Sequence, residues 1–236
     1  MSGGSGRARP RSAGQTPVQV WCEALNQCFN PSMPYRRPPA VQARLDARRE
    51  RVLEAAVHLL SREGYGGCSV AAIAAEAGIS TGSVYQSFSG KSELAAALFR
   101  TLVARELEAV AASTDRPGGA AQRVAAAVET FAYRALQAPR RAFALLAEPA
   151  DPAVDTERLV FRRAFRDVYA EQIAAGVAAG ELPPQSPELT AAALVGAIAE
   201  ALVGPLADGD AVPGDVIPGL ITFTLRALGG HDAADA

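Results

Sequence analysis

At 236 residues, 49% of them apolar and 20% charged, the chain is long enough to bury one large core, or a small and a larger one, without disulfide or metal staples. Every apolar stretch reads as broken by charged or small polar residues before the roughly 18 to 20 needed to cross a bilayer. No apolar run follows the basic N-terminus MSGGSGRARPRSAG, so a cytoplasmic protein without a membrane partner is expected. The net charge of -2 hides an asymmetry: residues 1–91 carry eleven Lys and Arg against six Asp and Glu (net +5), and the remainder is net -7, which points to a polyanion meeting the front of the chain.

Residues 1–40 are rich in Gly, Pro, Ser and Arg and lack an apolar period, so the composition predicts a disordered basic arm. Met33 within it is a candidate natural start. The odd cysteine count, Cys22, Cys28 and Cys68 with no CxxC pair, fits neither a disulfide framework nor a zinc site, and no cofactor is expected.

From Ala43 the pattern turns helical, with Val52, Ala56, Leu59 and Leu60 on one stripe, Arg48, Arg49 and Arg51 at its beginning and Gly64 closing it. A short second helix is expected after Ser69, a good N-cap residue, burying Val70, Ile73, Ala74 and Ala77. Gly78 ends it. Ser80 then caps a third short helix, Thr81 to Gln86, and a fourth runs from Lys91 or Ser92 to about Ala112. Further helices are predicted near 119–137, 139–147, 155–180, 187–207 and 214–229, separated by Pro and Gly breaks and without strand-like alternation. The fold class is therefore all-α, divided into an arm (1–40), a three-helix head (41–91) and a larger helical domain (92–230).

Two short helices joined by a glycine turn have a mechanical use: the first braces the second so that its polar face can enter a DNA major groove. Small Ala74 allows close approach, and Ile73, Ala77, Ile79 and Val84 can knit the pair. The remaining face, Thr81, Gly82, Ser83, Tyr85 and Gln86, is small or hydrogen-bonding, as base-edge reading requires. Ser69, Tyr85 and Lys91 sit where helix beginnings or edges would meet phosphates, with Ser80 and Ser87 bounding the reading segment. Lys91 is the only lysine in the chain.

The segment CSVAAIAAEAGISTGSVYQSFSGKSEL resembles the DNA-binding signature of the tetracycline-repressor (TetR) family. Ser69 opens the second helix, Ile73-Ala74 is the family's Ile-Ala pair, and Ala77-Gly78-Ile79-Ser80 is its turn. Gly82, Tyr85, Phe88 and Lys91 complete the pattern, while Gln86 and Ser87 stand where the family often has an aromatic residue or His. About residues 45 to 95 carry the likeness. It implies a regulator, by family habit a repressor, that binds a palindromic double-stranded operator as a homodimer and answers to a small-molecule effector.

In the rear domain the resemblance implies effector binding and dimerisation. Leu194, Ile198, Ala201 and Leu202, with Ile217, Leu220, Ile221 and Leu225 of the last helix, are the expected dimer residues of a four-helix bundle. Phe131, Tyr133, Phe143, Phe161, Phe165 and Tyr169 are the candidate ligand-binding residues, and Arg134, Arg162 and Arg166 could receive an acidic effector. A rival reading is a helical ligand-binding or protein-interaction module without DNA binding. An enzyme is disfavoured: His58 and His231 are the only histidines, and no nucleophile triad, HExxH, P-loop or GxGxxG is present.

Overall fold

The computed structural model describes residues 39–208 and 213–229. The arm residues 1–38, with Cys22, Cys28 and the Met33 start, lie outside the described residues. Those described form helices, turns and loops with no strand.

The first helix, α1 (Pro39–Gly67), begins four residues before the predicted Ala43, with Pro39 at its first position, where a missing N–H costs nothing. Its buried stripe, Val52, Ala55, Ala56, Leu59 and Leu60, keeps helical spacing. At Gly64 the backbone leaves the helix (φ 70°, ψ -169°), a conformation open in practice to glycine alone. Ser69 then caps α2 (Val70–Glu76), its Oγ accepting from the Ala72 amide at 3.1 Å. Gly78, at φ 66°, makes the turn into α3 (Thr81–Tyr85). Ser80 caps α3 in the same way, accepting from the Ser83 amide at 3.2 Å. Ile73, Ala74, Val84 and Phe88 close the small core against α1, a role foreseen for the first three.

The fourth helix, α4 (Lys91–Ser113), leaves this head and runs into the larger bundle of α5 (Ala120–Gln137), α6 (Pro139–Leu146), α7 (Pro152–Ala178), α8 (Pro187–Asp208) and α9 (Pro213–Ala227). Boundaries follow the Pro and Gly breaks closely, because Pro suits the first turn of α6 and α7. In the bundle α7 packs on α4, α5 and α8, α9 lies on α5, and α6 bridges α1 to α8. Its centre is aromatic: Phe99 meets Phe161, which meets Phe165, which meets Phe131, all edge-on with centroids 4.5 to 6.0 Å apart.

Two expectations are corrected here. Helix α8 is long and apolar enough to cross a membrane by length and composition, contrary to the reading that every apolar stretch is broken too soon; Glu200 and scattered glycines interrupt it less than supposed. Only 28% of its apolar window is buried within the chain. The buried stripe is Ala191, Leu194, Ile198, Leu202 and Leu206, so Leu194, Ile198 and Leu202, and likewise Leu220 on α9, are core residues of the single chain and not free for a dimer contact. Of the expected dimer residues, Ala201 is exposed and Ile217, Ile221 and Leu225 are half-buried.

The head and the bundle are joined at the kink. A Cβ on Gly64 would lie 3.0 Å from both carboxylate oxygens of Glu148, which accept from the Tyr65 amide at 3.0 Å. Gly64→Ala should therefore strain the backbone and crowd the carboxylate together, lowering stability by about 1–3 kcal/mol in equilibrium urea unfolding; a change below about 0.3 kcal/mol would show that the kink relaxes at no cost.

Candidate nucleic-acid interface and internal slot

The outer face of α3 carries Thr81, Gly82, Tyr85 and Gln86 into solvent, Tyr85 with 57% of its surface exposed. Ser83 and Ser87 are half-covered, Ser69 and Ser80 spend their hydroxyls on caps while staying exposed, and Lys91 is exposed at the head of α4. All nine sequence-predicted residues thus lie on or beside two short helices and the start of α4. Four stretches of chain meet here because α3 is pinned from behind.

The pin is Arg49, half-buried on α1. Its guanidinium lies 4.1 Å above the Phe88 ring centroid, donates to the Ser87 carbonyl at 2.6 Å and pairs with Glu93 at 3.2 Å. Glu93 in turn accepts from the Ser89 amide at 2.5 Å. That contact substitutes for a capping side chain, because the N-cap residue of α4 is Gly90. Burial alone would raise the Glu93 carboxyl; the Ser89 N–H and the Arg49 charge outweigh it and hold it below the usual carboxylate range.

Arg48 donates to the Gln86 side-chain carbonyl at 2.8 Å. In this state the oxygen that would accept from an adenine amino group is engaged, while the amide donor remains available. Arg48 therefore stands beside the reading face as a cation that sequence reasoning did not include among the site residues. The basic run ARRER held the signal, but the 38-residue separation from Gln86 hid the pairing.

In the bundle, α5, α6, α7 and α8 enclose a slot walled by Phe131, Leu145, Leu146, Phe161, Phe165, Tyr169, Val195 and Ile198, with Arg158 and Arg162 among its lining. It leaves about 30 Å³ for water-sized atoms. A neighbouring chamber of about 20 Å³ shares Phe131, Leu145, Leu146 and Phe161 and ends at Glu106, Arg134 and Arg141. Glu106 is buried there, receiving Arg134 Nε at 2.6 Å and lying 3.6 Å from Arg141.

Four of the six predicted aromatics, Phe131, Phe161, Phe165 and Tyr169, line the slot. Tyr133 does not: two residues from Phe131 on a helix is more than half a turn away, and its side chain is 54% exposed. Phe143 packs half-buried on α6 outside the lining. Of the three arginines named from the sequence, Arg134 is committed to Glu106 and Arg166 to Asp167, and Arg162 reaches the slot.

A third cavity of about 280 Å³ lies between head and bundle, lined by Tyr65, Cys68, Lys91, Leu94, Pro149 and Asp151 among others. Cys68 is a buried free thiol; burial first, then the Glu148 and Glu63 charges, push it up to about 11, so it stays protonated at neutral pH.

Two capped helices with a glycine turn, an exposed polar second helix and cations beside it form a helix-turn-helix head of the kind that DNA-binding regulators carry. Residues 52–98 match the model for bacterial regulatory proteins of the tetR family. Comparison with curated protein sequences gives no match. Among solved structures, a TetR-like transcriptional regulator from Rhodococcus sp. RHA1 is 25% identical, with 83% of this chain and 100% of that one covered and a TM-score of 0.58. FadR from Bacillus subtilis, solved with stearoyl-CoA, is 16% identical over 77% of this chain and 98% of its own, TM-score 0.66. RolR, solved with resorcinol, is 18% identical over 81% and 92%, TM-score 0.63. The last two show the fold.

A carboxyl whose folded pKa is depressed stabilises above its unfolded value, near 4.3 for Glu, and loses that contribution as pH falls through the lower folded value. Glu93→Gln should accordingly cost about 1 kcal/mol at pH 7. The gap in thermal midpoint between the two proteins should close as pH is taken from 6 to 3; a gap independent of pH would show that Glu93 acts by packing and not by charge.

Proposed function

We propose that the chain is a cytoplasmic repressor that binds a palindromic operator as a homodimer and leaves it when a small molecule enters the bundle. The carrying observation is the pinned recognition helix: α3 presents a polar, lysine- and acid-free face whose rear is fixed to α1 by Arg49. Reading bases demands such rigidity, since hydrogen bonds to base edges discriminate only when their donors are held in place.

In this reading Thr81, Gly82, Ser83 and Gln86 face base edges. Ser69, Ser80, Tyr85, Ser87 and Lys91 meet the sugar-phosphate backbone, together with Arg48. Gln86 exchanges Arg48 for a base on binding, so the cation is freed for phosphate as the amide is spent.

The dimer reading is supported by the uncovered face of α8, where Ala192, Ala193, Gly196, Ala201 and Gly204 lie opposite the buried leucines. Small residues let two such helices approach closely, and the exposed Phe223 of α9 adds an anchor beside them. Ala201 and the half-buried Ile217, Ile221 and Leu225 stay in this interface, while Leu194, Ile198, Leu202 and Leu220 support it from within.

Effector release is supported by the aromatic slot and by neighbours of the same fold that were solved with stearoyl-CoA and resorcinol. A ligand can displace the operator only if it prefers one spacing of the two heads. For two heads the favourable spacing is about 34–36 Å, one turn of DNA.

Selection of bound fragments from genomic DNA by the purified protein should yield an inverted repeat, and sedimentation should give a dimer at micromolar concentration. On that site, Lys91→Ala should weaken binding about equally across sequences and shallow the salt slope by about one, whereas Thr81→Ala and Gln86→Ala should relax base preference at defined positions. Failure to enrich any sequence at low salt would leave the chain as a ligand-binding module.

A further inference from the structure

The slot has two polar groups without partners. Tyr169 is 1% exposed and lines the slot, yet its hydroxyl makes no hydrogen bond among the described residues. Tyr65 carries the one enclosed side-chain polar atom left unsatisfied among the described residues, so the Tyr169 oxygen is not sealed into packed core and can donate to an acceptor from outside the protein. Arg162 lines the same slot, is exposed at its rim and makes no ion pair or hydrogen bond among the described residues. All else that faces the slot is apolar apart from Arg158.

Arg158 is already spoken for, and its partners matter. It donates to the carbonyls of Ala144 at 2.8 Å and Leu145 at 3.1 Å, free acceptors in the last turn of α6, and to that of Glu148 in the loop after it, and it pairs with Asp155 at 2.9 Å. The Glu148 side chain holds the Tyr65 amide at the kink of α1. One guanidinium thus forms part of the slot wall and clasps the loop that grips the head.

We propose that the effector is an amphipathic organic anion, a carboxylate on an apolar aromatic or aliphatic body. The carboxylate pairs with Arg162 and accepts from the Tyr169 hydroxyl, and entry of the body draws Arg158 off the end of α6. This rests on the effector-released regulator reading above and names the ligand class of its slot. A cation would meet two arginines, and a purely apolar molecule would leave the Tyr169 hydroxyl unpaired. The available space, about 30 Å³ with about 20 Å³ beside it, admits little more than a water or two. An organic body therefore enters only as α6 and α7 part, and the Arg158 clasp spans that joint. Loosening it frees Glu148 from Tyr65, and the head loses one of its fixings to the bundle.

The test uses the full chain and two matched pairs, decanoate with decanol and cinnamate with cinnamyl alcohol, in calorimetric titration and thermal shift. At least one acid should bind at least tenfold more tightly than its alcohol, and which body wins separates the aliphatic from the aromatic source. Arg162→Gln should weaken acid binding at least tenfold without affecting the alcohol, Tyr169→Phe should weaken it several-fold, and Arg163→Gln, one residue on and outside the slot lining, should do nothing. Alcohols binding as well as acids, no binding by either pair, or an unaffected Arg162→Gln variant would overturn the assignment.

Hydrogen exchange reads the clasp separately. The Tyr65 amide should exchange faster with acid bound, and protection that is unchanged or increased would refute the route through Arg158. Genomic DNA selection without any ligand keeps the two readings apart: a chain that selects a site but binds no acid loses this inference alone, and one that binds acids but selects no DNA loses the regulator.

Discussion

The arrangement of Arg49, Phe88 and Glu93 is what the helix-turn-helix head depends on. Helix α3 spans only five residues, Thr81–Tyr85. A segment that short has no stability of its own in water, because nucleation costs more than its few hydrogen bonds return. Its cap at Ser80 fixes the start, and Val84 and Phe88 bury one side. Its far end is fixed by a guanidinium that stacks on Phe88, holds the Ser87 carbonyl and is itself neutralised by the residue that caps α4. Charge-assisted hydrogen bonds are about twice as strong as neutral ones. Concentrating three such contacts on one residue turns two short helices and the start of a long one into a single rigid surface.

A second set of polar contacts does for the joint what Arg49 does for the head, with less redundancy. Apart from the passage of α4, the head touches the bundle through the end of α1 against α6 and the loop after it. There the Arg62 carbonyl takes Arg140, the Tyr65 amide takes Glu148, and the Ser92 hydroxyl at the top of α4 donates to Asp151, the N-cap of α7. Tyr65 carries the only buried side-chain polar atom without a partner among the described residues, its hydroxyl. A joint of few hydrogen bonds with one buried hydroxyl unpaired is held firmly enough to set an angle and loosely enough to lose it. The packed cores on either side, by contrast, have no such option.

The helix boundaries were legible because Pro and Gly act locally. Pro139, Pro152 and Pro187 start helices, and Gly64 and Gly78 turn the chain, whatever else surrounds them. The reading face was legible for a related reason: on a helix this short, once Val84 is assigned inward, Thr81, Gly82, Tyr85 and Gln86 can only point out. Half the slot followed from α7, where Phe161, Phe165 and Tyr169 repeat every fourth residue and keep to one stripe. What stayed hidden was pairing across distance. Arg48 with Gln86 and Arg49 with Glu93 are 38 and 44 residues apart, and no periodicity reports them. Helix α8 misled for the opposite reason: apolar almost all round, it offers no moment to say which side is core, so the leucines that look fit for a partner turn inward and the alanines and glycines are left outside.

These features bear on how much a ligand must accomplish. Coupling between sites in regulators is typically about 1–3 kcal/mol, equal to one or two net hydrogen bonds. One apolar cluster runs from the head into the bundle along α4. Beside it, α1 meets α6 and the loop after it through an α1 carbonyl and an α1 amide satisfied by single side chains, Arg140 and Glu148, and Arg158 holds the end of α6 in turn. In the proposed mechanism, exchanging the partners of one of them is the step that loosens the head. The same economy explains why the clasp lies at the end of α6 and not along α7: only a helix terminus leaves carbonyls free to be held by a side chain, and so only there can a charged group in a slot wall trade its hold on the backbone for a hold on something else.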